Sequence, residues 1–269
     1  MKVGLIGCGA IGSSISRAID GDNRFDLKAV FDLDEDKASD LVHNLDQKVK
    51  IAQNFEDLLS LEPDVVVEAA SQRAVEQYGE TVLHNGMDLM VMSVGAFVDQ
   101  DLMERVTSAA RENRKRVFIP SGAVTGIDTI KSVSELIDEI VLTTTKHPES
   151  LKGAPFFSQR GIDPQKITEE TVLFEGIARE AVRLFPQNIN VAAVISLAGA
   201  GWDRTKVRIV ADPSIDRNVH EVKASGEFGE ILTLSKNVKS PDNPKTSYLA
   251  ALSAIKTLKN MESSIIIGT

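Results

Sequence analysis

Two sets of residues in this chain could do chemistry. The first is Gly7-x-Gly9-x-x-Gly12, followed twenty residues later by Asp32. Glycines at this spacing, between a short apolar run and a helical stretch, let a backbone approach a pyrophosphate closely. Gly7 permits the tight turn, Gly9 leaves room for the phosphates, and Gly12 lets the helix lie against the strand. The helix start at Ala10, Ile11 and Gly12 offers free N–H groups and a partial positive charge. Asp32 follows the apolar run Leu27-Lys28-Ala29-Val30-Phe31, where a carboxylate would accept hydrogen bonds from an adenosine ribose. The second set centres on His220. In Asn218-Val219-His220-Glu221-Val222-Lys223-Ala224, strand alternation puts His220, Val222 and Ala224 on one face and Glu221 and Lys223 on the other. An imidazole on that apolar face suits proton transfer beside a hydride acceptor, and equally a satisfied core histidine.

Weaker candidates surround these. Asn188 and Asn190 follow a helix-breaking proline, so each either caps the next helix or turns its amide to a ligand. In Pro244-Lys245-Thr246-Ser247, a hydroxyl caps the last helix, or Lys245 and Thr246 meet a carboxylate at its positive end. His43 and His84 fall in helices and are expected at the surface, and His147 lies in an irregular stretch. The single cysteine, Cys8, fills a glycine turn that wants a small residue, and it has no partner for a disulfide. There is no Cys pair, no His-Glu-x-x-His, no Gly-x-Ser-x-Gly and no phosphate loop ending in Gly-Lys-Ser, so no metal site is expected.

The elements that must position these groups alternate. Strands are predicted at residues 3–6, 27–31, 49–52, 64–70, 88–93 and 116–119, with helices over 11–19, 34–46, 72–84 and 98–113 and a short one through Leu58-Leu59. Such alternation implies a parallel sheet with right-handed crossovers, and ligands bind beyond the carboxyl ends of its strands. Small or polar stretches follow three of those strands: Ala69-Ala70-Ser71-Gln72, Ser93-Val94-Gly95-Ala96 and Pro120-Ser121-Gly122-Ala123. The pattern changes near residue 121. A helix is expected over 126–136 and strands over 139–145, 171–176, 205–211, 219–224 and 228–234, the last two joined by a hairpin at Ser225-Gly226-Glu227. Residues 146–170, with three prolines and two glycines, read as a long loop or flap suited to be a lid. The final helix, 246–260, carries Tyr248, Leu252, Ile255 and Leu258 on one stripe. The expected fold is α/β: a Rossmann doubly wound parallel sheet (1–120), a second α+β domain with a mixed or antiparallel sheet (121–243), and a C-terminal helix (244–269) returning to the first.

At 269 residues the chain can bury a large core, and its net charge of −9 argues against nucleic acid. No apolar run approaches 18 residues, so no membrane span is expected, and with neither an export signal nor a disulfide framework the cytoplasm is the expected compartment.

Several blocks together resemble the L-aspartate dehydrogenases of archaea and bacteria: the Gly7–Gly12 fingerprint, Glu68-Ala69-Ala70-Ser71-Gln72, Ser121-Gly122-Ala123, Phe185-Pro186-x-Asn188-x-Asn190-Val191-Ala192-Ala193, Asn218-x-His220-Glu221, Gly226-x-Phe228-Gly229-Glu230 and Asn243-Pro244-Lys245-Thr246-Ser247. The resemblance implies oxidation of L-aspartate by NAD or NADP to iminoaspartate, which water converts to oxaloacetate and ammonia. It also implies a role of the imine in NAD biosynthesis, a homodimer, His220 as the active-site histidine, and Ala123 and Asn188 as cofactor contacts. Cofactor contacts are further expected at Ala70 and Ser93, and substrate contacts at Ser71, Gln72, Asn190, Lys245 and Thr246. Residues 146–170 look longer than the family pattern requires, and no functional residue is placed there. Asp32, Asp34, Glu35 and Asp36, with no arginine close by, favour NAD over NADP. A dihydrodipicolinate-reductase-like or homoserine-dehydrogenase-like oxidoreductase and a non-catalytic NAD-binding sensor are the alternatives.

Overall fold

The computed structural model describes residues 1–186, 189–240 and 243–268, of which 243–245 by backbone alone. The chain divides into two units, one of Met1–Pro120 with Ala251–Ile266, the other of Ser121–Ala250 with the last few residues.

In the first unit, strands and helices alternate: β1 (Lys2–Ile6), α1 (Ala10–Ile19), β2 (Asp26–Phe31), α2 (Glu35–His43), β3 (Lys50–Ile51), α3 (Phe55–Leu59), β4 (Val65–Glu68), α4 (Gln72–His84), β5 (Asp88–Val91), α5 (Gln100–Glu112) and β6 (Val117–Phe118). The sheet order is β3-β2-β1-β4-β5-β6, and every pairing is parallel. Every residue of β4 is buried, as a central parallel strand requires. Local chemistry sets the helix starts. Asp34, Asn54, Ser71 and Asp99 each accept a backbone N–H with the side chain at the N-cap. Strand order reverses between β1 and β4, which opens a crevice at their carboxyl ends.

The second unit contains α6 (Ile127–Ser132), β7 (Ile137–Lys146), α7 (Pro148–Leu151), α8 (Pro155–Arg160), β8 (Thr171–Ile177), α9 (Ala178–Leu184), α10 (Asn190–Ala198), β9 (Thr205–Ala211), β10 (Asn218–Gly226), β11 (Gly229–Asn237), β12 (Lys239–Ser240), β13 (Asn243–Ser247) and the start of α11 (Tyr248–Met261). Its main sheet runs β11-β10-β7-β9-β8, antiparallel except for the β7–β9 pair. The hairpin turn is Glu227-Phe228, between paired Gly226 and Gly229, slightly later than the sequence suggests. One face of this sheet changes character along its length. Ile140 and Leu142 on β7, Val207 on β9, and Val222 and Ala224 on β10 are buried and apolar. Further along the same strands the buried residues become Thr144, Lys146, His220 and Asn218.

Three expectations need correction. Residues 146–170 are not an irregular flap: β7 takes Lys146, and α7, α8 and a short 3-10 turn occupy most of the rest. Prolines 148, 155 and 164 each open one of these short helices, where the missing N–H costs nothing. Leu151, Phe156 and Phe157 are buried, and Phe156 stacks on Phe185 at 5.1 Å between centroids. The last helix starts at Tyr248 rather than at 246, because residues 243–247 form a strand paired with β12 that ends at Ser247, the residue just before the helix. The stripe on α11 is also rotated: Leu258 is buried and Ile255 packs against the core as expected, but Ala251 and Ala254 complete the buried face, whereas Tyr248 and Leu252 are 36% and 42% exposed. Ala254 and Leu258 join the cluster of Ile15, Ile19, Leu27 and Val30 in the first unit. The small alanines let the helix backbone lie close to that core, which a Tyr/Leu stripe would hold away.

Leu258→Ala should therefore cost about 3 kcal/mol of stability, and Leu252→Ala under about 0.5 kcal/mol. Urea unfolding of both variants checks this, and equal losses would return the helix to the stripe read from sequence.

Candidate functional site

The crevice of the first unit is built from backbone. Gly7 has φ +97°, and a Cβ there would lie 2.7 Å from the backbone of Ala69 and Ala70, so the ends of β1 and β4 meet without side chains between them. A Cβ at Gly12 would stand 2.0 Å from the Gly7 carbonyl oxygen. Gly9 is different: a Cβ there would meet nothing within 4 Å. The fold forbids side chains at positions 7 and 12, whereas only a ligand would forbid one at position 9. Gly9 is the N-cap of α1 and supplies no side-chain acceptor, and the first turn holds no acidic residue. The N-terminus of a ten-residue helix is thus left to receive an anion.

Asp32 is fixed beside it. Its Oδ2 accepts the Cys8 N–H at 2.7 Å and its Oδ1 accepts the Asp34 N–H at 2.9 Å. Each oxygen keeps a lone pair for a further donor. Burial, and then the Asp32 charge, push the Cys8 thiol up to about 12, so it is an inert filler of the turn. A cleft of about 330 Å³ opens here, lined by Gly7, Asp32, Ala70, Ser71, Arg73 and Ala74 among others. Arg73 corrects the reading that no arginine is near Asp32: it is distant in sequence but is brought to the same cleft by the first turn of α4. Lys37 adds a second cation, paired with Asp34 at 2.9 Å.

The sequence reading did not single out Glu68, although it closes the strand it does mark. This buried carboxylate accepts the Ala70 N–H (2.8 Å) and the Ser71 N–H (2.9 Å) at Oε1, and the Ser93 N–H (3.0 Å) at Oε2. The Ser93 hydroxyl also donates to Oε1 at 2.9 Å. Burial raises its pKa, while these four bonds oppose the rise. Glu68 therefore ties the ends of β4 and β5 into one rim. Ser93 braces that rim, and Ser71 caps α4 by accepting the Ala74 N–H at 3.3 Å. Gln72 is the first residue of α4.

In the second unit His220 is 2% exposed. Register sets it opposite Thr144 on β7 and Ser235 on β11. Its Nδ1 lies 3.1 Å from Thr144 Oγ1. Desolvation, and then the charge of Lys146, push its pKa down to about 3, so the ring is neutral near pH 7. The Ser235 hydroxyl donates to the His220 carbonyl at 3.4 Å and to the Ala123 carbonyl at 3.0 Å. Asn237 Nδ2 donates to the same Ala123 oxygen at 2.7 Å. His220 and Ala123 are thus brought together by β11. Thr246, on β13, and half-buried Asn190, first residue of α10, belong to this unit, and the N-cap of α10 is Ile189 rather than an asparagine. Asn188 and the Lys245 side chain lie outside the described residues. Lys146, Thr144, Asn218, Ser235 and Asn237 were missed, though alternation along β7 and β11 puts polar residues two apart at both strand ends. His43 and His84 are exposed, and His147 caps α7 through Nδ1. Among the described residues no His, Cys, Asp or Glu cluster could hold a metal, and no helix is long and apolar enough to cross a membrane.

The parallel sheet, glycine turn and Asp32 define the first unit as the dinucleotide-binding part of an oxidoreductase. Residues 7–120 match the family model described as the NAD binding domain of homoserine dehydrogenase, and residues 128–261 match that described as the C-terminal part of aspartate dehydrogenase. L-aspartate dehydrogenases of Methanosarcina barkeri and Methanosarcina mazei are 50% and 48% identical to this chain, each over the full length of both proteins. The crystal structure of aspartate dehydrogenase from Thermotoga maritima superposes with a TM-score of 0.75 at 32% identity, covering 100% of this chain and 99% of that one. The chain belongs to the L-aspartate dehydrogenase family.

Two outcomes follow from this geometry. Gly9→Ala should keep the melting temperature but weaken NAD binding about tenfold, whereas Gly12→Ala should fold poorly; calorimetry and NAD titration separate them. His220 binds a proton when unfolded at pH values where the folded protein refuses it. Its contribution to stability is therefore complete above pH 6.5 and lost as pH falls toward 3, at up to about 1.4 kcal/mol per pH unit. His220→Gln should flatten this part of the acid-unfolding curve, and an unchanged slope would show that the ring is solvated.

Proposed function

We propose that this chain oxidises L-aspartate to iminoaspartate with NAD, or with NADP as the alternative cofactor, and that water converts the imine to oxaloacetate and ammonia. The observation that carries this reading is the imidazole of His220, buried at the polar end of the second sheet against Thr144, in a chain of the aspartate dehydrogenase family. When bound, the nicotinamide supplies the acceptor for the hydride from the substrate C2 carbon. The remaining roles fall to the chain. Gly9 and the first turn of α1 receive the pyrophosphate, Asp32 the adenosine ribose, and the rim braced by Glu68 keeps Ala70 and Ser93 beside them. Ala123 and Asn188 are the proposed cofactor contacts of the second part.

Forming the C=N bond requires the amine to give up protons, and His220 is the proposed acceptor. Nδ1 is engaged with Thr144 Oγ1, and the tautomer that carries its proton on Nδ1 has its lone pair on Nε2, where a substrate proton would be taken. Burial alone makes the ring a weak base, but an anionic ligand beside it raises its proton affinity. Ser71, Gln72, Asn190, Lys245 and Thr246 remain the substrate contacts proposed from sequence. The expected preference for NAD rests on the acids around Asp32, and Arg73 and Lys37 oppose it, which is consistent with use of both cofactors.

A homodimer in the cytoplasm, supplying the imine to NAD biosynthesis, completes the reading. Leu232 and Leu234 support the dimer. They are 63% and 52% exposed and lie on the face of β11 opposite His220, where a second copy would cover them.

The test is NADH formation on a panel of amino acids and hydroxy acids, with wild type and His220→Ala. L-aspartate should be the preferred donor, and the variant should lose at least about 100-fold in kcat while still binding NAD. A preference for a hydroxy acid would move the chain to another oxidoreductase class. An NAD response without turnover in either protein would make it a sensor.

A further inference from the structure

The second unit buries more polar chemistry than a proton acceptor needs. Lys146 ends β7, two residues beyond Thr144, and so shares its face; it is 6% exposed. Asn218 opens β10, two residues before His220, and is 1% exposed. The two strands run antiparallel, with Thr145 opposite Val219 and Thr144 opposite His220. One step further along the ladder, Asn218 falls opposite Lys146. On the other side Lys146 is in register with Ala211 of β9.

Asn218 Nδ2 donates to Ser247 Oγ at 3.1 Å, but Asn218 Oδ1 is buried with no hydrogen-bond partner among the described residues. An unmet acceptor of this kind is costly to keep, and a ligand donor would satisfy it. Lys146 lies close enough for its charge to act on the His220 ring, and burial lowers its own pKa to about 8. A carboxylate brought against an ammonium in such low-dielectric surroundings is bound strongly.

We propose that Lys146 and Asn218 are the substrate-binding pair beside His220, the ammonium taking a carboxylate of the amino acid and Asn218 Oδ1 taking its α-ammonium group. This rests on the amino-acid dehydrogenase reading and deepens it. An α-amino dicarboxylic acid presents both groups, whereas a hydroxy acid or a neutral amine presents only one. The arrangement also sets the amine next to the imidazole that is to accept its proton.

Lys146→Met and Asn218→Leu test the pair. Each should raise KM for L-aspartate about 10- to 100-fold and leave NAD affinity within about twofold. An unchanged KM would overturn the proposal. So would a higher KM accompanied by a lower melting temperature and weakened NAD binding, since that is the signature of a structural lysine. Failure of both Lys146→Met and Lys146→Gln to fold would overturn it for the same reason. Calorimetric titration of succinate into the NADH complex separates this claim from the reaction itself. If wild type binds succinate and Lys146→Met does not, the pair stands even should L-aspartate fail to reduce NAD. If turnover is normal and succinate binds both proteins alike, the pair alone fails.

Discussion

The register between β7 and β10 is the constraint on which the second unit depends. Strand side chains alternate with a period of two, so sliding one strand by a single residue would turn its whole buried set to the other face. In the observed register, Ile140, Leu142, Val222 and Ala224 form an apolar floor, and Thr144, Lys146, Asn218 and His220 gather at its far end. The apolar half favours burial of the strands, and in doing so it carries the polar end out of water. Burial pushes the imidazole pKa down for that reason. β11 extends the pattern, since Ser235 and Asn237 lie on the same face and hold the Ala123 carbonyl.

The first unit solves a different problem, which is to leave a backbone surface bare. Side chains are excluded at Gly7 and Gly12 by contacts within the fold and are merely absent at Gly9. Asp32 and Glu68 then use carboxylates as staples. Asp32 joins the glycine turn to the end of β2, and Glu68 joins the ends of β4 and β5. A buried carboxylate meeting several N–H groups is an effective brace, because a neutral replacement would leave at least one donor facing another.

Most of the first unit was legible because local signals agreed there. Apolar runs, glycines and N-cap residues each marked the same boundaries, and α4 was read to the residue. The face of His220 was legible from alternation alone. What escaped depended on long-range proximity. Arg73 and Asp32 line one cleft only because the fold brings the start of α4 to the end of β2. Glu68 was hidden at the end of a β-branched run, where a carboxylate reads as a strand boundary. Lys146 was assigned to a flap because prolines follow it, yet each of those prolines opens a short helix and leaves β7 intact to its last residue. On α11 two neighbouring stripes were compatible with the helical repeat, and packing selected the one with small residues.

The central claim is that the polar end of the second sheet is where the amino acid meets its proton acceptor. With only four histidines in the chain, imidazole nitrogen resonances of 15N-labelled protein test it directly. L-aspartate is titrated into the NADH complex, a pairing that cannot turn over. The account predicts that the His220 signals move with saturable dependence while those of His43, His84 and His147 remain in place. A stationary His220 beside a saturable shift at any other histidine would contradict it.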